Sequence, residues 1–152
     1  MNNLKLLIDK RDTEFEVNEA FYTELENALS LALNEEGVEG EVEISLSFVN
    51  ADEIKELNRD FRGFDSVTDV LSFPLDEEKV SFYKEEGLPV PLGDIVVCMS
   101  RVKEQAAEFE HSEKREILYL CVHSLLHLLG YDHIEEEDKK VMRTEEKRIM
   151  QK

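Results

Sequence analysis

The sequence predicts an α+β fold, one domain over residues 1–152 in which helices pack on a small mixed β-sheet. Three observations carry this. Residues 41–49 alternate strictly between apolar and polar, which places Val42, Ile44, Leu46 and Phe48 on one face of a strand. Residues 18–34 carry Ala20, Phe21, Leu25, Ala28, Leu29, Leu31, Ala32 and Leu33 at helical spacing, and Gly37 stops them. Strands and helices then follow one another without regular βαβ alternation, which favours helices packed on a mixed sheet.

The remaining elements follow in order. Residues 3–9 alternate loosely and read as a first strand. Residues 52–61 form a short helix capped by Asn50. Residues 69–73 make a brief strand closed by Pro74. Residues 76–91 are acidic and contain Gly87, Pro89 and Pro91, the composition of a mobile loop. Residues 95–99 are continuously apolar and read as a buried strand. Ser100 caps a helix reaching residue 110, Ser112 caps another, and a last helix runs from about residue 135 to the end.

A chain of 152 residues suits one core, and 41% hydrophobic residues are enough to fold it despite 36% charged residues. The formal net charge is -18, with 36 acids against 18 bases. This excludes a general electrostatic attraction to nucleic acid, which needs a positive surface, but leaves room for a local basic patch. Cys98 and Cys121 lie among apolar residues and read as buried thiols of a reduced cytosolic protein. The N-terminus lacks signal-peptide architecture and no apolar run reaches membrane-spanning length. The expectation is a soluble, cytoplasmic protein with no membrane partner.

Three of the four histidines fall between His123 and His133. His123 and His127 are one helical turn apart, about 6 Å along the axis, so they share a face. Gly130 ends the helix, and the following turn can return His133 as a third imidazole. Three neutral nitrogens leave a fourth position open, the pattern of a catalytic zinc. Ile117, Leu118, Cys121, Val122, Leu125, Leu126, Leu128 and Leu129 cover most of the helix circumference, so the helix is expected to be buried. Glu116, Leu120, His123 and His127 share the remaining stripe, expected to face a cleft. One zinc ion is the expected cofactor, although three imidazoles also accept nickel, copper or iron.

The run His-x-x-x-His-x-x-Gly-x-x-His is similar to the metzincin peptidase pattern, with a zincin-like arrangement of the helix. Those enzymes carry Glu after the first His as general base. Here Ser124 stands in that place, and a serine hydroxyl cannot serve at neutral pH without its own base. Asp132 and Glu116 are the nearest carboxylates, and either can orient a histidine from behind. Asp132 reads equally well as a turn residue.

Two further segments, Phe61-Arg-Gly-Phe-Asp-Ser-Val-Thr-Asp-Val-Leu-Ser-Phe-Pro74 and Leu92-Gly-Asp-Ile-Val-Val-Cys98, stand in order before the histidine run. Together the three resemble the YbeY family of bacterial endoribonucleases. The resemblance implies a zinc-dependent, single-strand-specific endoribonuclease of 16S rRNA 3′-end maturation and ribosome quality control. It implies His123, His127 and His133 as metal ligands and Arg62 as the functional arginine. It implies precursor rRNA as substrate and the small ribosomal subunit or its associated proteins as partners. Phe64, Ser66 and Val67 stand where the family often has Lys and Pro, which removes a positive charge.

Arg62 can fork onto phosphate oxygens and stabilise charge that develops there. Its bland alternative is a surface arginine paired with Asp60 or Asp65. Thr68, Asp69 and Asp94 read as residues that tie strand ends. Lys55 and Arg59, with Lys139, Lys140, Arg143, Lys147 and Arg148, offer basic content, interleaved in the C-terminal segment with acids that can neutralise it. The attack can run through hydroxide or the ribose 2′-OH. A zinc peptidase and a non-catalytic ribosome-assembly factor stapled by zinc are the competing readings.

Overall fold

The structure, a computed structural model, describes residues 2–11 and 19–130. Strand β1 spans Asn2–Lys10, helix α1 Glu19–Glu35, β2 Gly40–Val49 and α2 Ala51–Arg62. Then come β3 Val70–Pro74, α3 Glu77–Glu85, β4 Val90–Cys98, α4 Met99–Glu108 and α5 Glu113–Leu128. The sheet order is β1-β2-β4-β3. β1, β2 and β4 are parallel, and β3 joins the edge antiparallel to β4. The mixed sheet and its helices are the α+β domain that the pattern predicts.

The alternation of β2 is borne out residue by residue. Val42, Ile44, Leu46 and Phe48 are all buried, and they meet Ile95 and Val97 of β4 in one core. Phe21, Leu25, Leu29 and Leu33 of α1 pack on that face, and so do Ile117, Cys121, Leu125 and Leu126 of α5. A smaller cluster of Val49, Ile54, Leu71, Val96 and Cys98 seats α2 near the edge. The core thus fixes α5 against the sheet, and α5 is the element that carries His123 and His127.

Three expectations are corrected. Residues 76–91 are not one loop, because α3 forms inside them. Asp76 accepts a hydrogen bond from the Lys79 amide at 2.9 Å and starts the helix. Acids in its first turn and Lys84 in its last suit the helix dipole. Val80 and Tyr83 pack on the core, but no residue of α3 is fully buried, so its periodic signal is weak. Second, β4 starts at Val90, five positions before the apolar run, because β2 and β3 supply ladder partners past Pro91 and Gly93. Third, Cys98 occupies the N-cap of α4 and Ser100 lies inside the helix.

The caps at Asn50 and Ser112 form as expected. Asn50 accepts from the Glu53 amide at 2.8 Å and Ser112 from the Arg115 amide at 3.1 Å. The expected final helix lies outside the described residues. Among the described residues no helix is long and apolar enough to cross a membrane.

Both cysteines are buried and free. Burial pushes the Cys121 thiol from 9.0 up to about 12. The unfolded chain therefore releases this proton first. The contribution to stability is intact below pH 9 and is lost as pH rises toward 12. We expect the urea midpoint to fall between about pH 8 and about pH 10, with a smaller fall in Cys121→Ala.

Candidate active site

His123 and His127 sit in the last two turns of α5, each half-buried. Their Nε2 atoms are 3.2 Å apart. Two nitrogens bound to one zinc at 2.0–2.1 Å and a tetrahedral angle would be about 3.3 Å apart. The two rings meet edge to face at 4.8 Å between centroids, so both nitrogens converge on one point. Tyr119, one turn earlier, lays its ring 6.0 Å from that of His123 and limits its rotation. Both imidazoles can therefore hold one metal ion. His133, the expected third ligand, and Asp132 lie outside the described residues. Gly130 follows the helix with φ 105°, and its amide donates to the His127 carbonyl at 3.0 Å. That is the turn predicted for it.

The expected stripe is divided. Glu116 and Leu120 are buried, and Tyr119 is exposed in their stead. Leu118, Leu128 and Leu129 are only partly buried. Glu116 orients a histidine, but it is His111, whose Nε2 lies 2.5 Å from Glu116 Oε2. Sequence reasoning passed over His111 because it stands outside the metal spacing. Its distance of five residues from Glu116 across a helix cap was the available signal.

Arg62 closes the last turn of α2, where a cation suits the helix dipole. Gly63 caps the helix at φ 77°, with its amide on the Arg59 carbonyl and the Phe64 amide on that of Asn58. Buried Asn58 donates to the Ser66 carbonyl at 3.0 Å and ties the helix end to the following loop. Arg62 Nη2 donates to the Ser72 carbonyl at 2.6 Å, and the guanidinium lies 5.8 Å from the Phe73 ring centroid. Phe61 packs on the other contact of that ring at 5.6 Å. The pairing with Asp60 or Asp65 does not form, since Asp60 takes Arg59 instead. Among the described residues Arg62 has no ion pair, so its charge and remaining donors are available.

β3 bonds β4 through the Asp69 carbonyl and the Leu75 amide. By antiparallel alternation Ser72 turns its own carbonyl to the open edge. Arg62 occupies that acceptor, and Pro74, on the same edge, has no N–H. This edge is poorly built for adding a peptide strand. Asp69 is a tie, as expected: its carboxylate also accepts from Gln105 Nε2 at 3.2 Å. Thr68 Oγ1 reaches Asp69 at 3.5 Å, and Asp94 is an exposed strand residue.

Ser124 is fully buried, and its hydroxyl has no partner among the described residues. It faces the core, away from the histidine nitrogens' point of convergence, so it takes no part in chemistry there. An unpaired buried hydroxyl is destabilising. Ser124→Ala is expected to raise stability by up to about 1 kcal/mol and to leave activity unchanged. Parallel urea titrations and rate measurements check both halves.

A buried helix offering two convergent imidazoles, beside an edge strand that holds a free guanidinium, defines a hydrolase framework suited to an anionic substrate. The comparisons agree. The family described as Endoribonuclease YbeY matches residues 7–152. An Endoribonuclease YbeY of Finegoldia magna is 49% identical over 140 residues, which cover 92% of this chain and 88% of that protein. One of Bacillus subtilis is 42% identical over 149 residues, 97% and 95% of the two chains. The solution structure of TM1509 from Thermotoga maritima superimposes with a TM-score of 0.63 at 33% identity, covering 98% of this chain and 87% of that one. The chain belongs to the YbeY endoribonuclease family.

Proposed function

We propose that this protein is a zinc-dependent, single-strand-specific endoribonuclease that acts in the cytoplasm on the 3′ end of precursor 16S rRNA and in ribosome quality control. The observation that carries the reading is the 3.2 Å convergence of His123 and His127 Nε2 on one helix, in a chain of this family. His133 is proposed as the third ligand. A zinc ion held there would supply Lewis acidity and a water acidified toward neutral pH.

The chain's own residues supply the rest. Arg62 is held by the Ser72 carbonyl and the Phe73 ring, and it directs its other donors to non-bridging phosphate oxygens. Its fixed position means that little reorganisation is needed as negative charge builds on the phosphate. Tyr119 steadies the His123 imidazole. The peptidase reading is opposed twice, by the inward-facing Ser124 and by the capped edge of β3.

With a net charge of -18, the free protein is expected to bind RNA weakly and to be delivered by a ribosomal protein, a GTPase or the small subunit. Tight, salt-independent binding of the free protein to RNA would contradict this.

The test is cleavage of a 3′-extended 16S rRNA fragment, single-stranded and annealed, by metal-assayed protein with Arg62→Ala prepared identically. We expect cleavage of the single strand alone. Arg62→Ala should lose about 10²- to 10³-fold in rate with an unchanged urea midpoint, since the side chain is exposed. Cleavage by neither protein would move the function to the assembly-factor reading, and equal cleavage by both would remove Arg62 from the chemistry.

A further inference from the structure

A pocket lies on the N-terminal side of the histidine pair. It has a volume of about 420 Å³, within the range that holds a small organic ligand. Its aromatic sides are Phe109, at 59% exposure, and Tyr119, at 37%. Its polar wall is Asp69, tied to Gln105, and Glu116, tied to His111. Both carboxylates are held as acceptors by bonds to neighbours. Arg115 lines the pocket as well; it is exposed and has no ion pair among the described residues.

The backbone is strained where it forms this pocket. Glu110, with φ 55°, is the non-glycine residue at positive φ among the described residues. It stands between Phe109 and His111, both of which line the pocket. A residue pays this conformational cost where the turn has to place its neighbours. Here it brings Phe109 and His111, with ring centroids 6.1 Å apart, to the same opening.

From these groups we infer that the pocket is a nucleotide subsite, which takes an unpaired base between Phe109 and Tyr119 and its phosphate on Arg115. Stacking on two exposed rings accepts any base face. Asp69 and Glu116 offer acceptors to an exocyclic amino group, so adenine and cytosine suit the wall better than uracil, whose carbonyls would meet carboxylates. Tyr119 belongs to both places, as it lines the pocket and contacts His123. Along β3, Asp69 is three residues from Ser72, which holds Arg62, about 10 Å away. An RNA strand with its phosphate at Arg62 can therefore put a neighbouring base in the pocket. A duplex base has its face stacked and its amino group paired, so the subsite gives single-strand selectivity a physical basis. The inference deepens the ribonuclease reading and rests on it for the source of the nucleotide.

The test has two arms. In the first, nucleoside 5′-monophosphates are titrated into the full-length protein, and NMR follows the side-chain amide of Gln105 and the Arg115 Nε–H. AMP and CMP are expected to shift both signals, with UMP clearly weaker and Phe109→Ala abolishing the response. In the second, Phe109→Ala and Arg115→Ala are expected to raise KM for single-stranded RNA about 10-fold, with kcat nearly retained. Absence of shifts, equal shifts from all nucleotides, or an unchanged KM on RNA that is cleaved overturns the subsite. Nucleotide shifts in a protein that cleaves no RNA would uphold the pocket and overturn the ribonuclease reading, so the two failures are distinct.

Discussion

His127→Ala is expected to abolish RNA cleavage, with a fall of roughly three orders of magnitude or more, while the fold remains intact. The imidazole is half-buried at the end of α5, and its ring meets that of His123 edge to face. Its removal breaks the pair of nitrogens that converge at 3.2 Å. With His133 as the proposed third ligand, two imidazoles would remain in place of three, which weakens the hold on a divalent ion, so bound metal should fall with activity. Elemental analysis of purified protein, far-UV circular dichroism and the cleavage assay together separate loss of metal from loss of fold. A variant that keeps both its metal and its rate would exclude His127 as a ligand. A variant that keeps its metal and loses its rate would move its role from holding the ion to contacting substrate.

Gly93→Ala is expected to be the most destabilising single methyl group that can be added near the site. Gly93 lies in β4 opposite Pro74, with φ 145°. A Cβ there would stand 2.3 Å from the Phe73 carbonyl oxygen, 2.9 Å from Pro74 Cα and 2.9 Å from Leu128 Cδ2. Two of these neighbours are backbone, so no rotamer change relieves the overlap. Backbone strain and overpacking together suggest a loss of about 3–5 kcal/mol, read as a lower urea midpoint. The damage should also reach the site. Relief requires β3 to move from β4 and Leu128 to give way as well, and Leu128 adjoins His127. Metal affinity should therefore drop with stability, a coupling that a surface control such as Leu7→Ala would not show.

Much of the fold was legible in local pattern. Alternation at Val42, Ile44, Leu46 and Phe48 reported a strand with one buried face, and that face is buried. Side-chain caps at Asn50 and Ser112 marked helix starts because capping is a contact within one turn of chain. Helix α3 was missed for the opposite reason. It is short and buries no residue fully, so its apolar side chains are too few to print a period. The first half of β4 was missed because Pro91 read as part of the preceding loop, whereas the ladder to β2 and β3 carries the strand through it.

For the candidate site, the sequence by itself determined which residues could meet. A four-residue interval on a helix places His123 and His127 on one face, since α-helical geometry is set by the backbone and varies little between proteins. It also counted against a peptidase, because Ser124 stands where those enzymes carry their general base and lacks the chemistry. Contacts between distant segments were decided by tertiary structure alone. Arg62 finds the Ser72 carbonyl and not Asp60, Glu116 takes His111 and not a metal-facing histidine, and Gly93 is required by a neighbouring strand and helix. The pocket of Phe109, Tyr119 and Asp69 belongs to the same class. Such pairings depend on how three or four elements pack at once. The local sequence around each residue leaves several partners close in energy, and the shared core selects among them.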